Sequence, residues 1–190
     1  MGSPSHLCLQ CVLSNRDNYT MSNEHLILTG FMGMGKSTVG PKVAETLGVN
    51  YYDTDNWMET ESGVSVPDLV RTDMQAFRKL EAATLVDILE LEPGVISTGG
   101  GIVSTEVGRK ALLASGVPVI WMWANFDVVA KRVSEDSVGR DRPLFDDVEK
   151  ARALNDERQG WYRETATHTV DASQPIELVT GDIVAIVRAE

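Results

Sequence analysis

Gly30-Phe31-Met32-Gly33-Met34-Gly35-Lys36-Ser37 constrains this chain more than any other stretch, because it fits the phosphate-binding pattern Gly-x-x-x-x-Gly-Lys-Ser/Thr. The pattern carries weight only between a strand and a helix, and both are predicted. His25 to Thr29 is a short apolar run that reads as a strand, and Lys36 to Leu47 reads as a helix. Glycines let backbone N–H groups turn inward around phosphate oxygens, and the helix N-terminus adds partial positive charge there. Lys36 is placed to reach the β- and γ-phosphates and Ser37 to offer its hydroxyl to Mg²⁺. A glycine-rich turn would match by accident in on the order of one chain in a hundred of this length. The sequence predicts a nucleoside triphosphate site.

The chain has 190 residues, 43% of them hydrophobic, which suits one compact domain with a substantial core over residues 24–190. No apolar run is long enough to cross a bilayer. A net charge of −11 argues against nucleic acid and anionic membranes as partners. ATP is itself a polyanion, so the cations that matter must be gathered locally. Cys8 and Cys11 form a lone Cys-x-x-Cys without the second pair a zinc site needs, and read as reduced thiols of a cytoplasmic protein. Residues 1–23 read as a flexible N-terminal extension or leader. Their apolar stretch, Leu7 to Leu13, is short, contains Gln10 and follows no basic region, so a signal peptide is rejected. His6 stands where a myristoylation pattern needs Ser or Thr.

Strands and helices alternate along the rest. Val49 to Asp53 is a strand entered through Gly48, and Asp55 to Glu61 a helix ended by Gly63. Pro67 to Val70 suits a short helix. Met74 to Leu91 has apolar residues near helical period at Met74, Phe77, Leu80, Val86 (or Leu85) and Leu89. Val95 to Thr98 is a strand running into Gly99-Gly100-Gly101, and Ser104 caps a helix to Ser115. Val117 to Trp123 is the continuous apolar run of a strand buried on both faces. Phe126 to Val133 is helical, Ser134 to Asp147 a polar mobile lid, and Val148 to Ala166 a helix. Thr167 to Asp171 and Pro175 to Arg188 are the last strand and helix. This order predicts an α/β three-layer sandwich: a central parallel sheet of about five strands flanked by helices. Ligands then sit at the carboxyl ends of the strands.

Three strand ends carry polar or glycine-rich features: Gly30–Ser37, Asp53 with Asp55, and Gly99–Gly101. Asp55 could simply cap the helix after it. Beside a magnesium–phosphate site, two carboxylates are better explained by metal and proton work. Asp53 would hold Mg²⁺ through water, and Asp55 would orient or deprotonate an attacking hydroxyl. Three glycines exceed the needs of a turn and favour close approach to a ligand. Arg78 and Glu81, three apart, can pair, although such a pair is usually solvated.

Gly-x-x-Gly-x-Gly-Lys-Ser-Thr at 30–38, Asp53-x-Asp55, Phe77-Arg78-x-x-Glu81, Gly99-Gly100-Gly101, Arg142-Pro143-Leu144 and Arg158-x-x-x-Tyr162-x-x-x-Ala166 occur in the order seen in shikimate kinases. The resemblance covers roughly residues 24–180 and implies a P-loop kinase fold. It implies a reaction in which the 3-hydroxyl of shikimate attacks the γ-phosphate of MgATP, in a cytoplasmic monomer whose partners are those two small molecules. The implied ATP-binding set is Gly33, Met34, Gly35, Lys36, Ser37, Thr38, Arg132 and Arg142, with Mg²⁺ on Ser37 and Asp53. The implied acceptor set is Asp55, Arg78, Gly99, Gly100, Gly101 and Arg158, the two arginines on the substrate carboxylate. Lys36, Asp55 and Arg142 are the implied catalytic residues, Arg142 entering on the lid.

Four departures from the family pattern stand out. Pro41 inside the first helix predicts strain beyond the first turn, not loss of phosphate binding. Asp73-Met74 replaces a common Gly-Glu, tolerable because Asp can adopt a left-handed turn. The stretch from Arg132 to Arg142 is a few residues longer than usual, which leaves Arg140 without a role. The loop Val170 to Pro175 carries no arginine where the adenine would lie. The residues argue against gluconate but do not separate shikimate from quinate. A non-catalytic nucleotide binder would be expected to lack one of Lys36, Asp55, Arg78, Arg142 or Arg158, and all five are present.

Overall fold

The computed structural model describes residues 24–135 and 143–189. Five strands, β1 (Leu26–Thr29), β2 (Asn50–Asp53), β3 (Gly94–Ser97), β4 (Val119–Trp123) and β5 (His168–Asp171), form one sheet in the order β2-β3-β1-β4-β5. Every pairing is parallel. Parallel strands need helical crossovers, and the chain supplies them in α1 (Lys36–Leu47), α2 (Thr54–Ser62), α3 (Val66–Thr72), α4 (Met74–Leu89), α5 (Glu106–Ala114), α6 (Phe126–Glu135), α7 (Val148–Thr165) and α8 (Ile176–Ala189). The sheet centre is β1, with Ile27 opposite Ile96 on one side and Val119 on the other. Leu26, Ile27, Leu28, Val95, Ile96, Val119 and Ile120 are almost wholly buried, each contributing roughly 1.5–3 kcal/mol of apolar burial. The α/β sandwich expected from the sequence is the fold observed.

Because the chain leaves β1 for β2 on one side and later builds β4 and β5 on the other, the carboxyl end of β1 lies where the winding reverses. That is where sheets of this class bind ligands. The phosphate loop is the segment leaving that end.

Local details differ from the sequence reading, each for a physical reason. Ser104 does not cap α5. It ends a 3-10 turn, Ile102–Ser104, and Thr105 caps instead, its hydroxyl accepting from the Gly108 N–H. Asp53, not Asp55, caps α2, accepting from the N–H groups of Asp55 and Asn56. Asp73 is extended (φ −157°), not left-handed. Its place is explained by capping α4 through the N–H groups of Gln75 and Ala76. The core stripe of α4 runs through Phe77, Glu81, Ala82, Leu85 and Ile88, leaving Met74, Leu80 and Val86 exposed. Trp123 is also partly exposed, so β4 is buried on both faces only as far as Met122. α1 runs unbroken across Pro41. The Cys8–Cys11 pair, the extension 1–23 and most of the expected lid, with Arg140 and Arg142, lie outside the described residues. Both described ends of that expected lid are regular structure: Ser134 and Glu135 finish α6, and Pro143–Asp146 forms a 3-10 turn.

Candidate active site

Among the described residues six helices start on a side-chain cap: Asp53, Ser65, Asp73, Thr105, Asn125 and Asp147. Helix α1 does not. Its N-cap is Gly35, in the left-handed region at φ 90°, with no side chain to offer. The start of α1 therefore opens onto a cavity of about 680 Å³ with no side-chain cap across it, while the Thr38 and Val39 N–H groups turn back to Gly35 O. Gly30 is required for a different reason: at φ 140°, a Cβ there would stand 2.5 Å from the Met122 carbonyl oxygen. The loop is thus pressed against β4 and open to ligand at its tip.

Lys36 folds over the loop, its Nζ donating to the carbonyls of Gly30 (2.6 Å) and Phe31 (3.1 Å). Burial removes water from the ammonium and lowers its pKa to about 8, against the opposing pull of Asp55, Asp53 and Glu81. A cation so poorly solvated gains by meeting phosphate. The cavity also takes in Gly33, Met34, Gly35, Ser37 and Thr38, so the phosphate-loop residues named from the sequence line one space. Arg132 joins them from α6, but its guanidinium is engaged with protein: Nη1 donates to Ala172 O (2.6 Å) and Nη2 to Ser173 O (2.7 Å). It fastens the loop between β5 and α8 at the edge of the cavity.

Asp53 and Asp55 both line this cavity. Asp53 is held on each side, Oδ1 by the α2 N–H groups and Oδ2 by the Tyr51 hydroxyl (3.3 Å). Asp55 sits in the first turn of α2, where burial, with Asp53 adding to it, raises its pKa to about 6. Its neighbour across the glycine triplet is Glu81. A Cβ on Gly99 would collide with Glu81 Oε1 and stand 2.9 Å from Asp55 Oδ1, so both carboxylates border one point that only glycine leaves free.

Glu81 is only 1% exposed. Its Oε2 receives Arg78 Nη1 at 2.7 Å while Oε1 has no partner, and burial pushes its pKa up to about 7. The pair that sequence logic treats as solvated is therefore a buried fixture. A Cβ on Gly101 would collide with the Arg78 guanidinium. From α7, Arg158 Nη1 donates to Gly100 O (3.0 Å) and its ring-face neighbour is Phe31, 5.8 Å away. Arg158 is 7% exposed, its Nε unpartnered, and desolvation lowers its pKa. Arg78 and Arg158 together line a second cavity of about 500 Å³ between α4 and α7.

The sequence-named residues are thus brought together in two groups meeting at Gly99–Gly101, with Arg142 outside the described residues. Sequence reasoning missed Thr54, whose hydroxyl accepts the Gly99 N–H (3.0 Å), and gave Tyr51 no role. It also missed Phe145, which stacks on Phe126 at 6.0 Å and meets Phe31 edge-on at 6.4 Å, tying the end of the expected lid to the phosphate loop. No spacing rule signals these; the alternating Tyr51-Tyr52-Asp53 strand end was the only available hint.

Known proteins are similar to this chain in sequence and fold. The family model for shikimate kinase matches residues 32–188. The shikimate kinase of Caldanaerobacter subterraneus subsp. tengcongensis is 38% identical over 166 residues, 85% of this chain and 94% of that protein. The crystal structure of the shikimate kinase from Aquifex aeolicus aligns with a TM-score of 0.71 at 30% identity, covering 87% of this chain and 96% of that one. The fold is likewise that of the shikimate kinase from Acinetobacter baumannii in complex with shikimate, at a TM-score of 0.76 and 24% identity over 90% of this chain and 96% of the other. With the Met32–Ser37 part of its phosphate loop, the glycine triplet and the arginine pair inside the matched span, the chain belongs to the shikimate kinase family, whose members are ATP-dependent kinases.

Proposed function

We propose that this protein transfers the γ-phosphate of ATP to the 3-hydroxyl of shikimate, giving shikimate 3-phosphate and ADP. One observation carries the reading: cationic side chains stand on both sides of the glycine triplet, Lys36 toward the phosphate loop and Arg78 with Arg158 toward a separate cavity. A polyanionic nucleotide and a carboxylate-bearing acceptor would need that division. Arg78 and Arg158 would grip the carboxylate, their planar forks suiting its two oxygens. Asp55 would meet the ring hydroxyl and take its proton. A carboxylate with a pKa near 6 is mostly ionised at neutral pH, yet basic enough to share a proton as the bond to phosphorus forms. Gly99–Gly101 would let the acceptor approach the backbone closely.

The donor set around Ser37 and Asp53 fits Mg²⁺: a hydroxyl and an oriented carboxylate, both hard oxygen ligands facing the phosphate cavity. Among the described residues no three carboxylate, His or Cys side chains form a metal cage, so the phosphates and water would complete the shell. When bound, the ion would neutralise phosphate charge. We assign Arg142, on the lid, to the transferring phosphoryl group. We also read the chain as a cytoplasmic monomer, folded as one domain over residues 24–190; among the described residues no helix is long and apolar enough to cross a membrane.

ADP release with MgATP and shikimate, quinate, gluconate or no acceptor tests this. The expected result is strong release with shikimate and background release with gluconate. Release with quinate alone would keep the site and change the substrate. Release with none of them, ATP still binding, would contradict the reading.

A further inference from the structure

Tyr162 takes no part in the chemistry described so far, yet its hydroxyl makes one of the shortest contacts in the site. Its single O–H donates to Gly100 O at 2.6 Å, beside Arg158 Nη1 on the same oxygen. The ring is 1% exposed and stacked on Trp121 of β4, with centroids 5.9 Å apart and planes 19° apart. A phenol clamped in this way has one available direction for its proton. Gly100 in turn is pressed against the phosphate loop, since a Cβ there would stand 3.0 Å from Met32 N and 3.3 Å from Gly30 O. At the other end of the triplet, Gly99 N–H is held by Thr54.

We propose that Tyr162 is a positioning residue that fixes the Gly100 peptide plane, and through it the seam between the nucleotide loop and the acceptor pocket. The argument rests on the difference between its two donors. Arg158 has five N–H groups and must share them with an acceptor carboxylate, so its hold on Gly100 O competes with substrate. Tyr162 has one donor, given to Gly100 O, and Arg158 can meet its hydroxyl only as a donor to the oxygen. It keeps the triplet seated while Arg158 turns to the ligand. The functional half of this inference rests on the shikimate kinase reading above, whereas the structural half does not.

Tyr162→Phe tests both halves, since it keeps the ring and its stack and removes one hydroxyl. Amide hydrogen exchange across Gly99–Gly101 needs no acceptor. We expect at least about fivefold faster exchange there, with the denaturant midpoint close to wild type. In steady-state assays the KM for shikimate should rise about five- to tenfold while the KM for ATP stays within about twofold. Unchanged exchange at the triplet overturns the proposal whatever the enzyme's acceptor proves to be. Faster exchange with both KM values raised alike, or with a lowered midpoint and neither KM changed, reduces Tyr162 to a packing residue and overturns it too. If wild-type enzyme uses quinate instead, the KM for quinate takes the place of that for shikimate.

Discussion

The two sides of the glycine triplet are built by different means. The side proposed for the nucleotide is mostly backbone: a loop forced by Gly30 and Gly35, a helix start without a side-chain cap, and one lysine held by the loop's own carbonyls. The side proposed for the acceptor is mostly side chain. Asp55 comes from α2, Arg78 and Glu81 from α4, and Arg158 from α7, all converging on three residues without side chains. A backbone site is encoded in consecutive residues. A side-chain site is encoded in residues scattered over the chain, and its charges must be buried together to face one another. The difference is also electrostatic: the desolvated cation on the first side is Lys36, whereas the second buries a paired arginine and glutamate plus a second arginine.

Removing the charge on the nucleotide side should break the comparison most completely. Lys36→Met is expected to lower turnover by about a thousandfold or more, because no other described side chain takes its place over the loop. The fold should not suffer. A buried ammonium is costly to keep, so the thermal midpoint of the variant should equal or exceed that of wild type. Wild-type-like turnover would remove the phosphate loop from the mechanism.

A smaller effect sharpens the acceptor side. Glu81 and Asp55 have folded pKa values raised, to about 7 and about 6, above those of the unfolded chain. The folded state therefore holds more protons than the unfolded state between roughly pH 4 and 7. Their contribution to stability is present in full below that window and is lost as pH rises through it. The unfolding midpoint should fall from pH 5 to pH 8, and Glu81→Gln should flatten the fall. For Glu81 the effect is at most about 3 kcal/mol. A midpoint that rises over this range in wild type would mean that the Arg78 pairing outweighs burial.

How much could be read beforehand follows the same division. The helix Lys36–Leu47 matches the sequence reading to the residue, because the glycine–lysine pattern fixes its start and Gly48 its end. The buried strands were legible from their apolar runs. The pairing of Arg78 with Glu81 was legible from spacing, but its burial was not: the apolar period of α4 points to Leu80, while the packed face runs through Glu81. A charged residue on a core stripe is invisible to hydrophobic periodicity. Arg132 was placed on the nucleotide side, and its use there to hold backbone carbonyls of residues 172–173 depends on a contact forty residues away in sequence. The cap of α5 was misplaced by one residue, Ser104 for Thr105, where neighbouring Ser and Thr residues competed for one role.

The most direct test of a divided site is steady-state kinetics of Arg158→Ala with each substrate varied in turn. Tyr162 still holds Gly100 in this variant, so the loss should be confined to the acceptor. The expected result is a KM for shikimate raised at least about thirtyfold, with the KM for ATP within about twofold of wild type. Equal increases for both substrates would contradict the division and place Arg158 in a shared scaffold instead.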